Sequence, residues 1–214
     1  MTTNNKAFLA ALAVLALVAF HGSCASATSL SDLFGSAVSG TTGFGPYNDG
    51  DGLSGTVEYA VFSKAAFELN FSASSVTVGA NELAYVYQIL NTGTDFVSQN
   101  VQLGINSSAV DIGSATIDGF AGETSPTSSS IVLPTASWNF VTNIPGLTGR
   151  SSALVLTSTN LPNSTATQII INGGGTAFTS AIVPSDIPIP EPSSLCLLAG
   201  SLAFLAVRHR TRGV

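Results

Sequence analysis

"ELAYVYQILNTGTDFVSQNVQLGI" (residues 82–105) sets the terms on which the rest of the chain is read. Leu83, Tyr85, Tyr87 and Ile89 recur at every second position, so in an extended chain they share one face. Asn91 to Asp95 is a cluster of turn residues, and Val97, Val101, Leu103 and Ile105 then fall together on one side of a second run. Two alternating runs joined by a tight polar connection predict an antiparallel hairpin.

The same period extends outward. In "TVEYAVF" (residues 56–62), Val57, Tyr59 and Val61 oppose Thr56, Glu58 and Ala60. Further strands are predicted over Ala109–Ile117, Ser130–Leu133, Ala136–Val141, Ala153–Thr157, Thr167–Asn172 and Ala177–Val183, with Gly, Pro and Asn punctuating the gaps. No helical periodicity of useful length interrupts them. Parallel strands need long crossovers, usually helical, so the expected fold is all-β, an antiparallel β-sandwich over residues 55–184. Residues 28–54, rich in Gly and Ser, are expected to be a loosely ordered lead-in, and residues 185–189 a linker. "TSPTSSS" (residues 124–130) is expected to be a mobile loop, and "INGGGT" (residues 171–176), which lacks the Lys-Ser/Thr of a phosphate loop, a turn between strands. Trp138, with Ala136 and Phe140 on its face, is expected to anchor the core. The rival role for this aromatic is an exposed platform for sugar stacking, joined by Tyr59, Tyr85 and Tyr87.

The two ends differ from this centre. Lys6, the apolar run Ala7 to Phe20, and Ala25-Ser26-Ala27 have the order of a secretory signal peptide over residues 1–27, with cleavage after Ala27. All the histidine and cysteine of the chain lies outside the centre, as His21, Cys24, Cys196 and His209. The centre therefore has no disulfide framework, no Cys/His metal site, no Ser-His-Asp triad and no thiol nucleophile. Lys64 and Arg150 are its only cations, against eleven carboxylates, a balance that repels phosphate backbones and excludes nucleic acid as a partner.

Two chemistries survive these exclusions. "YNDGDGLSGTVE" (residues 47–58) places Asp49, Asp51 and Glu58 at calcium-loop spacing, but Tyr47 stands at the first ligand position. An Asp-Gly turn feeding a strand is the expected reading, with no metal and no cofactor. Paired carboxylates could hydrolyse a glycoside without histidine, yet the acids are scattered, so no enzyme is expected and a hydrolase is the weakest alternative.

The C-terminus is the most specific segment. Pro190-Glu191-Pro192, the apolar run Leu195–Val207, and Arg208, Arg210 and Arg212 follow in order over residues 190–214. This arrangement resembles a PEP-CTERM sorting domain. As a helix, the thirteen apolar residues span about 20 Å, short of the roughly 30 Å hydrocarbon core. The prolines favour an extended segment outside, and the arginines hold to the cytoplasmic side and stop transfer. The resemblance implies transient recognition by an exosortase, a transmembrane helix anchored in the inner membrane before processing, and an exopolysaccharide-producing bacterial host. The centre is similar, less specifically, to β-rich exported domains that precede such tails. The expected function is a non-catalytic protein of the cell surface or extracellular matrix, with an exopolysaccharide-binding module as the alternative. Terminal sequencing of the exported protein is expected to begin at Thr28; exported chains still starting at Met1 would overturn the leader assignment.

Overall fold

The structure is a computed structural model, and it describes residues 29–33, 35–46, 52–95, 97, 100–105, 109–117, 122–163 and 167–188. In chain order its elements are a 3-10 turn (Leu30–Asp32), β1 (Ser36–Pro46), β2 (Gly55–Ser63), α1 (Lys64–Asn70), β3 (Phe71–Ser72) and β4 (Leu83–Asn91). Then come β5 (Asn100–Gly104), β6 (Asp111–Ile117), β7 (Glu123–Thr124), β8 (Ser128–Val132), β9 (Thr135–Asn139) and β10 (Gly149–Ser151). Last are β11 (Ala153–Ser158), β12 (Asn160–Pro162), β13 (Thr167–Asn172), β14 (Thr176–Ala181) and β15 (Pro184–Pro188).

The fold is all-β, as the alternation predicts, but it is one nearly closed sheet rather than a sandwich of two separate sheets. Strands follow the order β3-β6-β11-β4-β2-β1-β14-β13-β5-β9-β8, all antiparallel along that path. A short parallel pair, β7 with β10, lies off it. The reason for continuity is β1. It pairs with β2 from Ser36 to Phe44, then with β14 through Gly45↔Phe178 and Pro46↔Ala177. A strand that changes partner must turn out of one sheet and into the next, and the run Gly40-Thr-Thr-Gly-Phe-Gly places little side-chain bulk in that corner. Thr42 Oγ1 donates to the Ser180 carbonyl and Thr179 Oγ1 to that of Gly43, each at 2.8 Å, which reinforces the junction. The expected lead-in thus contains the longest strand, hidden from a periodicity argument by its glycines.

The predicted hairpin is also corrected. β4 pairs with β2, β10 and β11, whereas β5 pairs with β13 and β9. Gly93 explains the parting of ways. Its N–H donates to the Ser54 carbonyl at 2.8 Å, and any Cβ there would collide with the backbone of Gly52. The chain is fastened to residues 52–54 instead of folding back on β4, and it crosses to the facing half. The face assignment nevertheless holds, since Tyr85, Tyr87 and Ile89 meet Val101, Leu103 and Ile105 in one core.

That main core lies between the halves β3-β6-β11-β4-β2-β1 and β14-β13-β5-β9-β8. The first half is buried on its other face too, where Ala60, Ala84, Ala115 and Ala153 present small side chains. The 3-10 turn and α1 pack there, with Phe67 stacked on Phe71 at 4.7 Å and Phe62 edge-on to Phe71 at 5.3 Å. α1 begins at Ser63, whose Oγ accepts the Ala66 N–H. Its seven residues are too few to show a helical period.

Other expectations change in detail. Residues 185–188 of the expected linker belong to β15, paired with β12, and Ser128–Ser130 of the expected loop belong to β8. "INGGGT" is the turn between β13 and β14. The leader (1–27), the apolar run 195–207 and the arginines lie outside the described residues; among those described, no helix is long and apolar enough to cross a membrane.

Trp138 is 1 % exposed and anchors the core, and its Nε1–H donates to the Gly113 carbonyl of β6 at 2.7 Å. Ser129 Oγ donates to the neighbouring Ile112 carbonyl, so β9 and β8 close on β6 through side chains rather than a ladder. Trp138→Phe is expected to lower stability by about 0.5–1.5 kcal/mol through loss of the indole hydrogen bond to Gly113 alone. Denaturant unfolding followed by circular dichroism checks this, and an unchanged midpoint would count against the closure.

Candidate functional site

Carboxylates were the first candidates, and the structure employs them as fasteners. Glu58 is 8 % exposed, and its Oε2 accepts the Leu30 N–H at 2.8 Å, holding the 3-10 turn against β2. Its side chain is on the outer face of the strand, beside Gln88. Asp49 and Asp51, the other calcium candidates, lie outside the described residues. Asp95 accepts the Gly52 N–H, Glu82 the Gly79 N–H, and Asp111 the Ile112 N–H, at 2.8–2.9 Å. Glu68 pairs with Lys64 across one turn of α1. Among the described residues, no three His, Cys, Asp or Glu side chains gather as a metal site would require.

A buried polar cluster ties β4, β7 and β10 together. Gln88 is fully buried, and its Nε2 donates to Glu123 Oε1 at 3.0 Å and to the Ser151 carbonyl at 2.9 Å. Ser151 Oγ accepts the Ile89 N–H at 3.0 Å. Burial pushes the Glu123 carboxyl above its ordinary range, opposed by a backbone hydrogen bond at Ile117, the Arg150 guanidinium and the Gln88 amide. The cluster joins strand ends.

The rival aromatic platform is not formed. Trp138, Tyr85 and Tyr87 are all buried, with the rings of Tyr87 and Trp138 at 6.2 Å. Tyr85 Oη donates to the Asn160 carbonyl and Tyr87 Oη to that of Ile182, each at 2.8 Å. Burial drives both phenols up, so they stay neutral donors. Tyr59 is half-buried against the core, its ring occupying the space that Gly40 leaves in β1. These rings face inward because β2, β4 and β9 all turn the same alternate positions toward the main core.

One depression on the surface was not singled out by sequence. A groove of about 330 Å³ is lined by Gln102, Gly104, Ile105, Pro134, Thr135, Thr167, Gln168 and Ile170. Gly104 floors it, paired with Thr135 on one side and flanked by β13 on the other. No aromatic or ionisable side chain marks it, which is why a search for chemistry-bearing residues passes over it. The available signal was an absence: β5, β8, β9, β13 and β14 contain no ionisable residue.

The tail, by contrast, is identified by comparison. Residues 188–210 match the family described as the PEP-CTERM protein-sorting motif. The chain carries a PEP-CTERM sorting signal at its C-terminus. That motif implies export and a membrane-anchored C-terminus before exosortase processing, and it begins where β15 ends, at Pro188. Comparison with curated proteins and with solved structures gives no match.

Removing the acceptor from Glu58 isolates its role. Glu58→Ala is expected to cost about 1–3 kcal/mol by orphaning the Leu30 N–H, while a chelator leaves the melting temperature of the unmodified protein unchanged. A chelator-induced drop restored by calcium and abolished by Asp51→Ala would reinstate the calcium loop.

Proposed function

We propose that this chain is a non-catalytic protein of the cell surface or extracellular matrix, carried through the inner membrane and held there by its PEP-CTERM tail until an exosortase removes it. The observation that carries the reading is the sorting motif over residues 188–210, in which Pro190-Glu191-Pro192 precedes the apolar run, Arg208 and Arg210, with Arg212 just beyond. A structural role is supported by the carboxylates, which hold turns through backbone N–H groups. The aromatic set offers a glycan no platform, so an exopolysaccharide-binding role needs other residues.

Glu191 and the arginines act differently. Glu191 is the only charge between two residues that cannot enter a helix, so it presents a carboxylate on a stiff extended backbone. Each arginine resists crossing by about 2.5–3.5 kcal/mol at the bilayer centre. Glu191→Ala is expected to leave full-length protein in the membrane with its domain outside. Neutralising the three arginines is expected to let uncleaved protein slip through. Fractionation with an antibody against the domain reads both, and wild-type cleavage and release of both variants would reduce the tail to a plain anchor.

A further inference from the structure

We propose that the groove floored by Gly104 is a binding site for a neutral glycan, deepening the surface role above and resting on it only for the domain's place outside the cell. Inner positions of β5, β9 and β13 (Val101, Leu103, Ala136, Trp138, Ile169 and Ile171) are buried in the core. The alternate positions therefore face outward as a grid. Gln102 sits between Ser137 and Ile170, and Gly104 lies beside Thr135. The missing side chain at position 104 makes the hollow: a Cβ built there would come within 3.0 Å of Thr167 Cγ2.

Four polar residues line this hollow, Gln102, Thr135, Thr167 and Gln168. Among the described residues their side chains have no hydrogen-bond partner, so their amides and hydroxyls remain available to a ligand. Ile170 and Pro134 add apolar patches of the kind that meet the C–H faces of a pyranose. The absence of ionisable residues from all five strands of this half removes any ionic contribution. The excess of carboxylates over Lys64 and Arg150 elsewhere in the domain further repels an acidic polymer. A peptide is a poor occupant as well, because β5 is hydrogen-bonded on both sides and offers no free edge for strand addition. A ligand of hydroxyls without charge satisfies these constraints. At about 330 Å³ the groove stands at the low end of small-molecule sites, about 300–1,000 Å³. Without an aromatic floor each contact is weak, so a polymer presenting repeated units is favoured over a single sugar.

The test uses isotope-labelled exported protein, purified from cells producing the full chain. Maltohexaose, cellohexaose and dextran serve as neutral probes and polygalacturonate as an anionic one. A neutral probe is expected to shift the side-chain amide signals of Gln102 and Gln168. Gly104→Val fills the floor, with a residue suited to a strand, and is expected to weaken that binding at least tenfold while export and processing proceed unchanged. Thr135→Ala with Gln168→Ala, both on the outer face, is expected to weaken it similarly and serves if the valine variant fails to fold. No shift with any neutral probe, equal shifts with polygalacturonate, or full binding by the double variant would overturn the proposal. Each of those results leaves the sorting assignment standing, since that is read from the processed C-terminus.

Discussion

Strand β1 is hydrogen-bonded to β2 along most of its length and to β14 through its last two residues. This change of partner makes one wrapped surface from two halves, and the main core exists only because the halves face each other. On the opposite flank the backbone ladder does not continue. Trp138 and Ser129 reach across to the Gly113 and Ile112 carbonyls instead. The core is thus enclosed by a two-residue seam on one side and by side-chain hydrogen bonds on the other. Burying each large side chain there contributes about 1.5–3 kcal/mol, offset in part by the entropy of ordering the chain.

The halves are chemically unlike. Glu58, Asp111, Glu123 and Arg150 all lie on strands of the first half or packed against it, where Glu58 secures the 3-10 turn and Glu123 ties β7 to β4. The second half is solvated by amides and hydroxyls, as in the Asn172–Asn100 pair at 2.7 Å. The first half is covered by α1 and the 3-10 turn and is unavailable to a ligand on that face. Among the described residues, no helix covers the outer face of the second half.

Much of this was legible in the sequence, and the failures have physical causes. Period-two alternation located β2, β4, β6, β9, β11, β13 and β14 and oriented Val57, Tyr85 and Leu103 toward the core, because burial selects side chains by face. It could not choose partners, since a strand's own pattern is the same whether its neighbour is the next strand in sequence or one across the core. Hence β4 and β5 were joined wrongly. β1 was missed because its role requires glycines, which erase the alternation that would reveal a strand. The sorting signal was legible because its parts act in linear order, whereas the groove depends on Gly104, Thr135 and Gln168, brought together only by folding.

The domain's lack of cysteine has a consequence for an exported protein. Its only methionine would have been Met1, and Cys24 and Cys196 flank it, so residues 28 to 189 contain no sulfur atom at all. Such a polypeptide needs no oxidant and no disulfide isomerase to fold and has no thiol to scramble. Peroxide meets neither thioether nor thiol to oxidise, and the indole of Trp138 is sealed in the core. A cell that exports this domain and never recovers it loses carbon and nitrogen, but no sulfur.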